Sequence, residues 1–132
     1  MAARTHTVVW IDHREARIFH FNAVDAEKVL LRVDHPTHLH HKANTIGSGH
    51  AAEDQHFYER VTASIADAAL VLITGPANAK TELVKHIERH SPQLRAKIAG
   101  IETVDHPTEG QLLDHARRFF TADHLAPRRM TH

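Results

Sequence analysis

Six residues, Ala69-Leu70-Val71-Leu72-Ile73-Thr74, constrain the fold of this chain more than any others. A strand with one face in water alternates polar and apolar residues. An unbroken apolar run needs cover on both faces, as a central strand in a sheet with helices above and below. The flanking residues offer that cover. Upstream, Phe57, Val61, Ile65 and Ala68 fall at i, i+4, i+8 and i+11, one apolar stripe on a helix expected over Ala52–Ala68. Downstream, Gly75-Pro76-Ala77-Asn78 ends the strand, and Asn78 is placed as the N-cap of a second helix with Leu83, Val84 and Ile87 facing the core. His90-Ser91-Pro92 stops that helix.

Ahead of these elements lie three short strands: Thr5–Ile11, Ala16–Phe21 with Ile18 and Phe19 on opposite faces, and Lys28–Val33 with Val29, Leu31 and Val33 on one face. Tight polar breaks separate them, which predicts an antiparallel meander. Behind them come a strand over Ile98–Val104 and a last helix. Thr108 and Gln111 form its capping box, and Leu112, Leu113, Ala116, Phe119 and Phe120 its buried face. Residues 122–132 hold Pro127 and no periodicity, and are expected to be a frayed basic tail. The order βββ-αβ-αβ-α argues for an α/β chain with a mixed five-stranded sheet and helices packed on it, one domain over residues 1–121. At 132 residues, 42% of them apolar, such a domain buries a core without staples.

Composition excludes several functions. Cysteine is absent, so no disulfide, thiolate nucleophile or cysteine zinc site exists, in keeping with a cytoplasmic protein. The apolar run Val8–Ile11 is cut short by Asp12, so neither a signal peptide nor a membrane span is expected. Sixteen basic and sixteen acidic residues cancel, which excludes a globally basic nucleic-acid binder. Charge is nevertheless uneven. Between Asp34 and Glu53 there is no acid, and the segment holds His35, His38, His40, His41, Lys42 and His50 with Gly47 and Gly49. A second basic patch carries Arg117, Arg118, Arg128 and Arg129. The first segment lacks any period and reads as a long loop over about 34–52; loops of that length in compact domains are functional or disordered.

The segments VVWIDHREARIFHF, RVDHP and LVLITGPANAKTEL, in this order around a long loop, resemble the middle domain of archaeal and eukaryotic peptide chain release factors and of Pelota. A nearer likeness is to small stand-alone bacterial translational machinery proteins of that superfamily. The resemblance spans roughly residues 5 to 120 and implies a ribonuclease H-like fold. It implies a translation-associated role as well, with the ribosome or tRNA as partner. In release factors the long loop carries a Gly-Gly-Gln tip. Here the corresponding stretch reads Gly47-Ser48-Gly49-His50, and Gln55 comes later, so peptidyl-tRNA ester hydrolysis is not carried over.

The leading expectation is therefore a non-catalytic module that binds RNA phosphates through His35, His38, His40, His41, Lys42, Gly47, Gly49 and His50. Imidazolium and ammonium groups beside glycines suit contact with a nucleic-acid backbone. Lys80, at the start of the helix after Gly75-Pro76, is a further anion-binding candidate, because helix N-termini present free N–H groups. No cofactor is expected. The alternative is a zinc or other divalent transition-metal site, or a metal-dependent hydrolase, built from His38, His40, His41 and His50. A third reading is a protein-interaction domain, with another protein or a second copy as partner. A two-metal nuclease would draw on Asp12 and on Glu53 or Asp54, but one clamping carboxylate is missing: the fourth strand ends Ile73-Thr74-Gly75-Pro76 without an acid, and Asp12 is better explained as a turn residue. Asp105 beside His106 reads as a strand exit, and Trp10 as core.

Overall fold

The central run becomes β4, Leu70–Gly75, and every residue after Leu70 in it is buried. The computed structural model describes residues 6–33 and 48–130, the side chains of 48–54 and 122–130 apart. The other strands are β1 (His6–Ile11), β2 (Glu15–Phe21), β3 (Ala26–Arg32) and β5 (Ile98–Thr103). They form one sheet in the order β3-β2-β1-β4-β5. β1 pairs antiparallel with β2 and parallel with β4; β2–β3 is antiparallel and β4–β5 parallel. This is the mixed five-stranded, ribonuclease H-like sheet expected from the order of elements.

Among the described residues there are four helices: α1 (Ser48–Ile65), α2 (Ala79–His90), a short α3 (Pro92–Arg95) and α4 (Glu109–Met130). The two sides of the sheet have separate cores. On one, Val9, Ile11, Ile18, Val71 and Ile73 meet Phe57, Val61 and Ile65 of α1 and Leu83 and Ile87 of α2. On the other, Val8, Trp10, Phe19, Phe21 and Leu72 meet Leu112, Ala116 and Phe120 of α4. Ile18 and Phe19 thus point to opposite cores, as strand alternation requires.

Three boundaries and one cap depart from expectation. α1 begins at Ser48, ahead of the expected Ala52, so Gly49 and His50 belong to its first turn. Gly-Ser-Gly has low helix propensity and reads as loop, yet a helix end tolerates it. The same helix stops at Ile65, so Ala68 packs into the core from beyond its end. Asn78 occupies the N-cap position of α2 but makes no side-chain cap; its backbone carbonyl accepts the Glu82 N–H at 3.0 Å. α4 is helical to Met130, past the point where fraying is expected. The capping box is present: Gln111 N–H donates to Thr108 Oγ1 at 3.1 Å, and Thr108 N–H to Gln111 Oε1 at 2.9 Å.

Candidate functional site

The candidate site is where the chain leaves β3 for residues 34–47 and returns as α1. It is built from the β1–β2 turn upward. One carboxylate oxygen of Asp12 accepts the N–H groups of Arg14 at 2.8 Å and Glu15 at 2.9 Å. The Asp12 N–H in turn donates to the Glu15 carbonyl at 3.0 Å. Asp12 is thus the turn residue expected from the sequence. The turn exposes Arg14 and hands its carbonyl to the Val33 N–H at 2.9 Å. Val33, buried, anchors the exit. From the helix side, Arg60 Nη1 of α1 donates to the Arg32 carbonyl at 2.7 Å. The last polar groups of β3 are therefore held from both neighbouring elements.

The same contacts gather charge. Glu15 faces Arg32 in the β2–β3 register, and its carboxylate takes Arg17 Nε at 2.9 Å and Arg32 Nε at 3.5 Å. The Arg17 guanidinium lies over the Trp10 ring, 5.4 Å from its centroid. Trp10 is buried as expected and donates its indole N–H to the Asp105 carbonyl at 2.7 Å. The His106 ring sits 5.1 Å from Trp10 and donates to Asp105 Oδ1 at 2.9 Å. That pair is largely exposed and caps the end of β5.

The β4–α2 turn lies beside this corner. Gly75 passes so close to Ile11 that an added Cβ would stand 2.2 Å from the Ile11 carbonyl oxygen. His13 reaches across from the β1–β2 turn and donates to Asn78 Oδ1 at 3.0 Å, which explains why Asn78 does not cap α2. Lys80 is 9% exposed, and its ammonium donates to the Ala77 carbonyl at 2.5 Å. It braces its own turn in this arrangement. Thr74, buried, donates to the Val9 carbonyl at 2.8 Å where a nuclease would need an acid.

Of the residues singled out from the sequence, His35, His38, His40, His41, Lys42 and Gly47 lie outside the described residues. Gly49 and His50 lie in the first turn of α1, and Lys80 in the first turn of α2. Among the described residues no three His, Cys, Asp or Glu side chains are grouped to hold a metal ion.

Sequence reasoning missed two features. One is the arginine corner itself, because Arg14, Arg32 and Arg60 are isolated in the chain. The other is His86, 3% exposed on α2, whose Nε2 donates to Glu59 Oε1 at 2.9 Å and whose Nδ1 lies 2.7 Å from Gln55 Oε1. Gln55 and Glu59 are one turn apart on α1, so a single imidazole spans that turn and joins the two helices. Its position one residue before core Ile87 is the signal that could have drawn attention to it. A groove of about 130 Å³ between α1 and the α2–α3 turn, lined by Glu59, Thr62, Leu94 and Lys97, lies next to this bridge.

No family model and no curated protein matches the chain. Solved structures do. Pelota from Archaeoglobus fulgidus aligns with a TM-score of 0.61 at 13% identity, over 88% of this chain and 32% of that one. An archaeal translation termination factor, aRF1, aligns at 0.60 and 14% identity, over 97% and 40%. Dom34 from S. cerevisiae, a translation termination-like factor involved in RNA quality control pathways and interacting with Hbs1, aligns at 0.51 and 8%, over 84% and 32%. The chain therefore spans 32% to 40% of the length of the first two neighbours. At these identities the shared property is the fold.

Proposed function

We propose that this chain is a non-catalytic, translation-associated module that binds ribosomal RNA or tRNA phosphates. The contact uses the acid-free stretch His35, His38, His40, His41, Lys42, Gly47, Gly49 and His50. The reading is supported by placement: the stretch runs from the end of β3 into the first turn of α1, in a fold that Pelota and aRF1 share. Lys42 supplies a fixed charge, and the histidines a charge that grows below neutral pH. Lys80, committed to Ala77, contributes by holding the neighbouring turn. No described helix is long and apolar enough to cross a membrane, and nothing in the reading requires one.

The test is co-sedimentation with ribosomes and a tRNA mobility shift, at low salt and about pH 6. Wild type is compared with a variant whose residues 36–46 are exchanged for a Gly/Ser linker of equal length. Equal length matters because α1 runs about 18 Å from Ser48 to Arg60, the residue that meets the end of β3. Loss of binding in the linker variant supports the reading; retained binding moves the interface off this stretch. Stoichiometric zinc that disappears when His38, His40 and His41 become alanine would assign the stretch to metal instead.

A further inference from the structure

Four arginines from three stretches of the sequence lie around the end of β3 at the open edge of the sheet. Arg17 and Arg32 share Glu15 on the α4 side. Arg60 comes from α1 on the opposite side and holds the Arg32 carbonyl. Arg14 lies in the β1–β2 turn, its carbonyl bonded to the Val33 N–H. Two carboxylates are within this group, and both are occupied: Asp12 by the N–H groups of the turn, Glu15 by two guanidinium groups. Among the described residues no acid pairs with Arg14 or Arg60. The Arg32 side chain is 71% exposed, and Arg14 is exposed as well. A corner built only for stability would match its charges; among the described residues this one carries four guanidinium groups and two carboxylates.

We infer that Arg14, Arg32 and Arg60, with Arg17 beside them, form a strip that grips the phosphates of an RNA strand passing around the β3 edge. The inference takes its ligand class from the proposed function, but its residues and geometry are independent of the 34–47 segment. Guanidinium forks pair bidentately with phosphate and carboxylate oxygens alike, but a nucleic-acid strand carries a phosphate at every nucleotide, an array that suits a line of fixed positive charges. The strip crosses from one side of the sheet to the other, so its ligand is a flexible strand. Recognition by these groups is of backbone, so affinity is independent of base sequence. Arginine on an edge strand also discourages edge-to-edge pairing of sheets. That role alone would produce no salt-dependent RNA binding.

The experiment is a binding titration of the full chain with a labelled oligouridylate and with tRNA across a salt series. The variant is Arg14→Gln/Arg32→Gln, chosen because both side chains are exposed and the fold does not depend on them. Removing two phosphate contacts is expected to flatten the slope of log affinity against log salt by about 1.4, and to weaken both RNAs roughly 10- to 30-fold at about 0.1 M salt. Arg14→Lys/Arg32→Lys is expected to keep most of the slope. Wild-type affinity and slope in Arg14→Gln/Arg32→Gln, with binding lost in the linker variant, would overturn the strip and leave the histidine reading standing. The reverse pattern supports the strip and removes that reading. A wild type that binds polyglutamate in preference to RNA, or binds neither, overturns both.

Discussion

Gly75 shows how a single missing side chain sets the geometry of the strand ends. A Cβ there would stand 2.2 Å from the Ile11 carbonyl oxygen, a backbone atom that cannot turn aside. Gly75→Ala is expected to destabilise by on the order of 3 kcal/mol, read as a lower denaturation midpoint. At Gly100 the nearest atom, 2.8 Å away, belongs to the Phe119 ring, which can shift, so Gly100→Ala should cost only about 1 kcal/mol. Asp12 is the other informative residue. Its carboxylate accepts two backbone N–H groups, a role that an amide oxygen fills equally well. Asp12→Asn should therefore stay within about 0.5 kcal/mol of wild type, and Asp12→Ala lose about 1 kcal/mol. Chemical denaturation of the pair checks this, and equal losses in both variants would contradict the turn role.

The α1–α2 pair depends on one polar side chain among apolar ones. His86 is buried and spans Gln55 and Glu59, whereas Glu59 is largely exposed. Removing the imidazole leaves a cavity and frees Gln55 from its partner, so His86→Ala should cost about 2 to 3 kcal/mol. A double-mutant cycle with Glu59→Gln isolates the bridge, with an expected coupling of about 0.5 to 1.5 kcal/mol. Additive effects would show that His86 acts by filling space alone. At the start of α4, Thr108→Ala should cost about 1 kcal/mol through the capping box, measurable by the same unfolding assay. That cap was legible because its spacing is local. The His86 bridge was not, because Gln55 and His86 are thirty-one positions apart and the pairing exists only once α1 and α2 lie side by side.

Across the whole molecule, charge is the property that changes with conditions. Sixteen basic and sixteen acidic residues cancel, so the fifteen histidines decide the sign of the net charge. An unperturbed imidazole gains its proton as pH falls through about 6.5. Lowering pH from about 7.5 to about 6 therefore adds positive charge and should strengthen RNA binding, while added salt should weaken it. A titration at both pH values, with circular dichroism confirming an unchanged fold, checks the sign. Binding that weakens on acidification would contradict an electrostatic contact made by histidines.

By itself the sequence determined the order of the strands and the three long helices, though not the short α3, together with the two-sided burial of β4 and the capping box of α4. Each of these is written in local periodicity or spacing, over a few residues that fold next to one another. The tertiary structure alone decided that α1 starts at Ser48, that Asn78 turns to His13, that Lys80 is buried in its own turn, and that Arg60 reaches the Arg32 carbonyl at the end of β3 while Arg17 and Arg32 share Glu15. The reason is physical: Arg32 and Arg60 meet because the sheet brings the end of β3 beneath the middle of α1. No spacing along the chain encodes a contact made by packing two elements together.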